Sequence, residues 1–424
     1  SGNGDIPVSV FESQKIWFIL PATLLFTAVC GGAYPSFYIS RFQPVNIFRG
    51  KQTISKSSLL KRILIVCQFI MTFILLSLSV IASRNADYMT TVDWGYDQRD
   101  IIKVYTDDYQ QYEILKNAIQ DNPDIINAAG SQNSLGGEPP TGVIEYQGKK
   151  YEVKQLILGA EYVNMMKLRL KSGKLFDPET NPEASNYVVV NERFAEKYTI
   201  DNPIGKYIRV NNIDHTVIGV VGDFHYRDFY AEIEPLVIRR AYENNFSSIS
   251  VKYKAGTETQ TAGFLENTWK KLIPDKPYEA VFQDEVFEDW FYSERQISKL
   301  FWSYSLIAIT ISCMGLFGIV SVSITRRMKE IGIRKALGAG MMNIMNLMNK
   351  EYLILLAVST VIGAPLSYFL MGKAFDGIHA YHIPVSVTHM VIVFTLVILT
   401  TVLTVSSLLY RAGRTNPVDT LKYE

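Results

Sequence analysis

Asp376, His379 and His382 are the residues whose types and spacing best suit a bound metal ion. Imidazole and carboxylate groups are common zinc ligands, and histidines three positions apart can contact one ion. A tight site needs a further ligand, however, and the neighbouring sequence does not supply one. We therefore interpret the two histidines as solvated polar residues at the edge of an apolar segment, and we expect no metal.

The 424 residues contain neither the usual motif for nucleotide binding nor the usual motif of a serine hydrolase. Gly-Lys pairs occur, but none belongs to G-x-x-x-x-G-K-[ST], so the chain is not expected to hold a nucleotide in a P-loop. There is also no G-x-S-x-G nucleophile elbow. Cys30, Cys67 and Cys313 all lie in apolar stretches, where a thiol is a poor nucleophile. The sequence thus predicts no catalytic residue on this chain.

Long uncharged stretches indicate a membrane protein. About 20 apolar residues cross a hydrocarbon core of about 30 Å, whereas buried helices of soluble proteins, the alternative, usually stop short of about 18. Five stretches qualify: Ile16–Ser40, Ile63–Ser83, Leu300–Thr325, Tyr352–Gly372 and one within Gly377–Tyr410. We predict a five-span helical bundle.

Charge is distributed unevenly around these spans. Residues 41–62 carry six basic and no acidic side chains, and Arg326–Lys335 is also rich in basic residues, which places both on the cytoplasmic side. Between Arg84 and Ile297 there are 24 Lys and Arg against 34 Asp and Glu. We expect this acidic segment, called the ectodomain below, on the opposite side of the membrane. A net charge of only +1 argues against nucleic acid as a partner.

A short repeat indicates two related units. Ile6–Val10 recurs letter for letter as Ile383–Val387, each time just before an apolar stretch, and Arg41–Arg49 resembles Arg414–Lys422. We infer that residues 1–51 end one unit and that 52–424 form a complete second one. The parent protein is expected to contain both halves.

The ectodomain is predicted to be mixed α/β. A strand and a helix come at its start, a strand, a helix and a second strand come at its end, and two hairpins lie between them. The segments are Ile101–Tyr105, Tyr109–Gln120, Ser248–Tyr253, Glu258–Ile273 and Tyr278–Phe282, with hairpins at Gly142–Leu158 and Tyr207–Val221. Two α/β pieces should therefore assemble beside an inserted, β-rich subdomain.

Aromatic residues precede the second long span of this unit at helical spacing. Phe287, Trp290 and Phe291 predict a helix that projects from the membrane and runs straight into Leu300–Thr325. Its partner would be the extension of the preceding span through Asn85–Val92, and together they would form a stalk. The alternative is an ordinary amphipathic helix lying on the ectodomain.

The cytoplasmic stretch Arg326–Tyr352 combines basic residues, a Gly338-Ala339-Gly340 break and a stripe of Met, Ile and Leu. By itself it predicts a helix along the inner membrane face, which could serve only as a lipid anchor. However, Glu330–Ala339 resembles the signature REIGIRRALGA of the FtsX/MacB-like permease family of ABC transporters. Asn416–Leu421 resembles the family's C-terminal ending, and Lys167–Phe176 and Asn202–His225 resemble segments of its periplasmic core domain.

The resemblance implies a function. In this family the signature segment is a coupling helix that docks on a cytoplasmic P-loop ATPase, and the spans transmit the motion to the periplasmic domain, a process called mechanotransmission. The implied ATPase contacts are Glu330, Gly332, Arg334, Lys335, Gly338 and Ala339, and Trp290 and Phe291 would transmit motion through the stalk. No cofactor is expected on this chain, since the partner ATPase, in about two copies, would bind ATP and Mg²⁺.

The resemblance also fits two-half members of the family found in Bacteroidetes-type bacteria. The N-terminal half of the parent or a second permease would complete the bundle, and a periplasmic or outer-membrane protein could be a further partner. The work done would be export or extraction of a substrate. The alternative function is a non-transporting membrane sensor or scaffold that regulates a cell-envelope enzyme.

These inferences give the following predicted domain organisation. Residues 1–51 hold the periplasmic loop, last span and cytoplasmic end of a preceding unit; 52–83 a first span; 84–297 the ectodomain with its stalk; 298–325 a second span; 326–351 the coupling-helix segment; 352–372 a third span; 373–388 a periplasmic loop; and 389–424 the last span and the C-terminus.

Overall fold

The computed structural model of the chain describes residues 18, 21–22, 24–26, 29, 55–179, 186–338 and 340–413. The chain divides into two units, residues 1–64 and 65–424. In the first unit, the described residues between 18 and 29 are helical. The repeat copy Ile6–Val10, most of the predicted span Ile16–Ser40 and the ending Asn416–Leu421 lie outside the described residues.

The regular elements are numbered here in chain order. The helices are α1 (Ser55–Thr91), α2 (Tyr109–Ile119), α3 (Ala160–Met165), α4 (Glu192–Lys197), α5 (Glu258–Leu272), α6 (Glu288–Ala336), α7 (Met341–Ile378) and α8 (Val387–Gly413). The strands are β1 (Ile101–Tyr105), β2 (Ile125–Ser131), β3 (Thr141–Tyr146), β4 (Lys149–Leu158), β5 (Leu170–Gly173), β6 (Tyr187–Asn191), β7 (Tyr207–Val210), β8 (Ile213–Val221), β9 (Leu236–Arg240), β10 (Ser248–Tyr253) and β11 (Ala280–Phe282).

The first sheet joins the two ends of the ectodomain. Its strand order is β11-β1-β10-β2, and all three pairings are antiparallel. Because side chains alternate along a strand, Ile102 and Val104 of β1 face the same side as Ile249 and Val251 of β10. That side packs on α2 and α5 and forms one apolar core with Leu115 and other helix residues. The predicted assembly of two terminal α/β pieces is confirmed.

The second sheet is the predicted β-rich subdomain, and it closes on itself. Its order is β5-β8-β6-β9-β4-β3-β7, and β7 also pairs with β8. The six strands β8, β6, β9, β4, β3 and β7 therefore form a closed ring without a free edge, and β5 pairs with β8 outside this ring. Branched side chains such as Val188, Val190 and Val217 fill the interior. The two predicted hairpins are β3–β4 and β7–β8.

Four helices of the described part are long and apolar enough to span a membrane: Lys61–Thr91, Gln283–Thr325, Lys350–Ile378 and Val387–Leu408. They share an apolar core that includes Phe73, Leu316, Leu356 and Val397. Four of the five predicted spans are thus present as helices. The fifth, Ile16–Ser40, falls largely on residues that are not described.

Helices α1 and α6 approach closely through small and hydroxylated residues. Thr72 Oγ1 lies 2.7 Å from Ser312 Oγ, and Ser79 Oγ lies 2.7 Å from Ser305 Oγ. A Cβ added at Gly315 would lie 2.6 Å from Gln68 Oε1. The residue numbers of these contacts rise along α1 while they fall along α6, so the two helices are antiparallel. Small residues allow such close contact between spans.

Candidate functional site

The signature segment lies at the tip of a helical hairpin. Helix α6 ends at Ala336 and α7 begins at Met341. Gly338 has φ of +90°, a backbone conformation that favours glycine, so the predicted glycine break is confirmed. The prediction of one helix lying along the membrane face for Arg326–Tyr352 is wrong, because this stretch is shared between the ends of two long helices.

Charged side chains occupy this tip. Arg334 Nη2 donates to Glu330 Oε1 over 2.7 Å, one helical turn away, and both side chains are about half exposed. Arg327 Nη2 lies 3.2 Å from Glu351 Oε2, which joins α6 to α7. Gly332 and Lys335 lie in the last turns of α6, although the side chain of Lys335 is not described. Ala339 lies outside the described residues. An ATPase contact by these residues stays a prediction.

At its other end, α6 enters the ectodomain core. Phe287 and Phe291 are buried, and the Phe287 ring contacts Trp94 with centroids 4.8 Å apart. Phe229, from the loop between β8 and β9, meets both rings at 5.6 and 5.9 Å. Helix α1 continues beyond the apolar stretch to Thr91 and contributes Met89 to the same core. The predicted pair of projecting helices is confirmed, and it is embedded in the ectodomain.

Trp290 lies on the outer side of this helix. It is 44% exposed, and its ring meets Tyr230 with centroids 5.5 Å apart. Phe291 faces inward and Trp290 outward, although both were predicted to transmit motion. Only Phe291 is placed in the core between the helices and the ectodomain. Transmission by either residue remains untested.

The loop between α7 and α8 is fixed to the ectodomain by hydrogen bonds from main-chain amides. The amide N of Ala380 donates to Tyr230 O over 3.0 Å, and Ile233 N donates to Tyr381 Oη over 3.1 Å. The Tyr381 ring also packs edge-on against His225 at 4.7 Å. We call the contact between residues 225–233, residues 379–383 and the base of α6 the membrane-proximal junction.

One carboxylate lies at the centre of this junction. Glu294 of α6 accepts a hydrogen bond from Tyr230 Oη, and His379 Nε2 lies 3.2 Å from the same Glu294 oxygen. Both partners stack, with ring centroids 4.8 Å apart. Burial and the neighbouring Glu294 raise the pKa of Tyr230, so its hydroxyl stays protonated and donates. Three separate chain segments are therefore connected through one side chain.

The histidines are bound to protein partners in this junction. His382 Nε2 lies 2.9 Å from Asp376 Oδ1, whereas His379 contacts Glu294. His379 is only 6% exposed, so its predicted position on a solvated face is wrong: its ring is covered by Tyr230 and Phe375. Among the described residues, no group of three or more His, Cys, Asp or Glu side chains is placed to hold a metal.

Sequence reasoning missed Tyr230, Glu294 and Tyr381. The aromatic run FHYRDFY at 224–230 and the Tyr381-His382 pair were the available signals, because loops rich in aromatic residues often pack on something. Their partners lie 64 and more positions away in the chain, as the Tyr230–Glu294 contact shows. No local pattern could have paired them.

Comparisons with known proteins agree with this architecture. The family described as "MacB-like periplasmic core domain" matches residues 67–264, and the family described as "FtsX-like permease C-terminal" matches residues 302–417. The fold and these matches define the class of protein: it is a membrane-embedded helix bundle with a large periplasmic domain. The chain belongs to the FtsX/MacB-like permease family of ABC transporters.

Individual relatives are distant. The "Macrolide export ATP-binding/permease protein MacB" of Neisseria meningitidis is 27% identical over 242 residues, which are 53% of this chain and 36% of that protein. The "Probable syringafactin export ATP-binding/permease protein SyfD" of Pseudomonas syringae pv. tomato is 24% identical over 241 residues, 53% of this chain and 35% of that protein. The chain thus spans about a third of the length of these relatives.

Two solved structures match part of the chain. The crystal structure of the periplasmic region of MacB from Actinobacillus actinomycetemcomitans is 17% identical, with a TM-score of 0.35, and the match covers 45% of this chain and 92% of that one. A domain of a permease protein from Porphyromonas gingivalis is also 17% identical, with a TM-score of 0.32, over 44% of this chain and 92% of that one.

Proposed function

We propose that this chain is the permease part of a MacB/FtsX-type ABC transporter in a bacterial inner membrane. A separate cytoplasmic P-loop ATPase binds and hydrolyses ATP with Mg²⁺, and this chain converts its motion into a shape change of the periplasmic domain. The result is export or extraction of a substrate across or from the cell envelope. Family membership supports the proposal, since permeases of this type generally work with an ABC ATPase.

One observation carries the proposal: a single helix joins the cytoplasmic tip to the ectodomain core. Phe291 and Glu330 both lie in α6, and at about 1.5 Å per residue they are roughly 60 Å apart along the helix axis. Phe291 is buried among ectodomain aromatics, whereas Glu330 is exposed at the far end. A displacement of the tip is therefore transmitted along continuous backbone hydrogen bonds.

The hairpin adds a second connection. Helix α7 starts beside the tip, where Glu351 pairs with Arg327, and it ends at Ile378, next to His379. Through His379 and Glu294 the far ends of α6 and α7 meet again. Both arms of the hairpin therefore contact the ectodomain, which suits transmission of motion more than simple anchoring to lipid.

The partners follow from the same reasoning. We propose two ATPase copies for each permease with two halves, the second half being the N-terminal part of the parent protein or another permease. A periplasmic or outer-membrane partner would bind the periplasmic domain and respond to its change of shape. The relatives' names mention macrolide and syringafactin, two different cargoes, so the family alone does not specify what this chain moves.

The test reverses the charges at the tip. The variant Glu330→Arg with Arg334→Glu keeps an intrahelical ion pair but presents opposite charges to a partner. The protein is purified from native membranes in mild detergent, and co-purifying ATPases are quantified by mass spectrometry. We expect an ABC ATPase with the unaltered protein, and a loss on the order of tenfold in the variant, about 1.4 kcal/mol of binding.

A matched control lies on the ectodomain. Glu266 and Lys270 form the same kind of exposed pair on α5, with Nζ and Oε1 2.6 Å apart. Reversing that pair should leave ATPase recovery unchanged. If no ATPase accompanies the unaltered protein, or if both reversals act alike, the coupling proposal fails. The tip would then be a lipid anchor, and the sensor or scaffold function would be preferred.

A further inference from the structure

A polar cleft of about 270 Å³ opens between the two sheets of the ectodomain. Its walls come from β1, from the β2–β3 loop at 132–139, from Leu156 of β4 and from the start of β10. It adjoins the membrane-proximal junction, because Gly136 N donates to Tyr226 O over 2.9 Å and Glu138 pairs with Arg227. The coupling proposed above does not depend on these two contacts. Its volume is on the scale of a small ligand rather than a single water molecule.

Lys103 is a buried cation in the wall of this cleft. It is only 3% exposed, its Nζ donates to Ser134 Oγ over 3.1 Å, and it lies 4.6 Å from the centroid of the Tyr105 ring. Within the described part of the chain, Lys103 forms no ion pair with a carboxylate. An ammonium group has three N–H donors, and burying it without a counter-ion is costly.

The strand beside Lys103 also has unused hydrogen-bonding capacity. Ser250 of β10 is directly opposite Lys103 in the antiparallel register, so both lie on the same face of the sheet. Ser250 is 1% exposed, and its Oγ has no hydrogen-bond partner among the described residues. A buried hydroxyl without a partner is uncommon in folded proteins. Among the described residues, Ser250 Oγ thus has no hydrogen-bond partner, and Lys103 Nζ has Ser134 Oγ but no carboxylate.

The nearest acidic group in the lining is already neutralised. Glu138 Oε1 lies 2.6 Å from Lys154 Nζ and 2.7 Å from Arg227 Nη1. Arg227 also contacts Glu234 over 3.3 Å. These two cations and two carboxylates balance each other, which leaves the charge of Lys103 uncompensated. The cleft is therefore electropositive at the side where Lys103 lies.

We propose that this cleft binds a small ligand through an anionic group, either a carboxylate or a phosphate. The anionic oxygen pairs with Lys103 Nζ and accepts a hydrogen bond from Ser134 Oγ. Such charge-assisted hydrogen bonds are short and about twice as strong as neutral ones. The ligand would connect strands of both sheets. None of the residues that line the cleft belongs to α6 or to the signature segment, so the proposal does not rest on the ATPase contact.

The first test measures whether anions protect Lys103. The full chain in detergent is treated with formaldehyde and a mild reductant, and methylation of each lysine is followed by peptide mass spectrometry. The probes are inorganic phosphate and N-acetylglycine, against chloride at equal ionic strength and against neutral N-acetylglycinamide. At about ten times the dissociation constant, the effective anion should slow methylation of Lys103 about tenfold. The anion that does so identifies the chemical source.

Variants give an independent readout. A bound anion should raise the Tm of the unaltered chain, because it binds only the folded state. Lys103→Met keeps the length of the side chain and removes the charge, so this rise should disappear. The matched control is Lys116→Met: Lys116 also lies over a tyrosine ring, at 5.6 Å from the Tyr112 centroid, but it has a carboxylate partner in Glu161 at 3.9 Å. That variant should keep the rise.

The proposal is overturned by either of two results. In one, neither phosphate nor N-acetylglycine slows Lys103 methylation or raises Tm relative to chloride. In the other, Lys103→Met responds to the anion as the unaltered chain does. Because removing an unpaired buried charge should not impair folding, loss of the response in Lys103→Met reports on binding.

Discussion

His379 Nε2 and Glu294 Oε1 lie 3.2 Å apart, so the loop after α7 is bound to the base of α6. Tyr230 donates to the same carboxylate oxygen from the ectodomain side. A buried carboxylate with two partners is stabilised only while both remain in place. This arrangement makes the membrane-proximal junction sensitive to small displacements of either helix.

Removing the Tyr230 hydroxyl should weaken the junction. In Tyr230→Phe the buried Glu294 carboxylate loses one donor, and we expect a loss of about 1–3 kcal/mol in stability. The measurement is Tm by intrinsic fluorescence of the protein in detergent. Tyr292→Phe is the control, because Tyr292 lies on the same helix and is 58% exposed. Equal Tm changes in the two variants would contradict the role of the Tyr230–Glu294 hydrogen bond.

Tyr381→Phe should loosen the attachment of the α7–α8 loop. The Tyr381 hydroxyl accepts from Ile233 N over 3.1 Å, and the loss of one such bond costs about 1 kcal/mol. Hydrogen exchange at the Ile233 amide should therefore become about fivefold faster. The amide of His225, which donates to Trp94 O, serves as an internal reference and should not change. Unaltered exchange at Ile233 would show that this hydrogen bond does not hold the loop.

Stability of the ectodomain should fall on mild acidification because of His225. Burial lowers the pKa of His225 to about 4, although Asp93 acts to raise it. Below its ordinary value of 6.5 the unfolded chain takes up a proton that the folded chain does not. The stabilisation is complete above pH 6.5 and is lost towards pH 4, by up to about 3 kcal/mol.

The variant His225→Phe isolates this effect. It keeps a ring between Phe229 and Tyr381 but has no group that titrates. The slope of Tm against pH between about 6.5 and 4 should be shallower in the variant, whatever its absolute Tm. Parallel curves for the two proteins would exclude His225 as the source of the acid sensitivity.

Enlarging Gly315 should disturb the contact between α1 and α6. A Cβ there would lie 2.6 Å from Gln68 Oε1, so Gly315→Leu first displaces the flexible Gln68 side chain. The rest of the leucine side chain then overpacks the contact, at a cost of about 1 kcal/mol. Gly318 is one turn further along α6 and has open space around it, which makes Gly318→Leu a matched control. We expect a lower Tm for Gly315→Leu alone. Similar values for both variants would mean that the close contact does not stabilise the pair.

Local sequence patterns predicted most helices and strands, but they did not predict that the second sheet closes into a ring. Ile101–Tyr105 and Ser248–Tyr253 were predicted with the bounds that β1 and β10 have, because alternating or branched apolar residues lie between clear turn signals. Strand β2 was missed, since Ile125–Ser131 is mostly small residues without alternation. The pairing of β7 with β3, which closes the second sheet, joins segments distant in sequence, and no local pattern encodes it.

The candidate site was predictable in part for the same reason. The break at Gly338 and the helical spacing of Phe287 and Phe291 are local features, and the structure has both. The burial of His379 depends on Tyr230 and Glu294, which belong to other segments, so its polarity suggested a solvated position. Likewise, the exposure of Trp290 could not be predicted from the sequence, because it depends on which residues pack around Phe291.

The most direct test of the central claim follows the junction while ATP is hydrolysed at the other end. The protein is reconstituted with its ATPase, and hydrogen exchange of residues 225–233 and 379–383 is measured with and without nucleotide. Coupling through α6 and α7 predicts a nucleotide-dependent change that the Glu330→Arg with Arg334→Glu variant loses and the Glu266→Lys with Lys270→Glu variant keeps. Identical exchange with and without nucleotide in the unaltered protein would contradict the account.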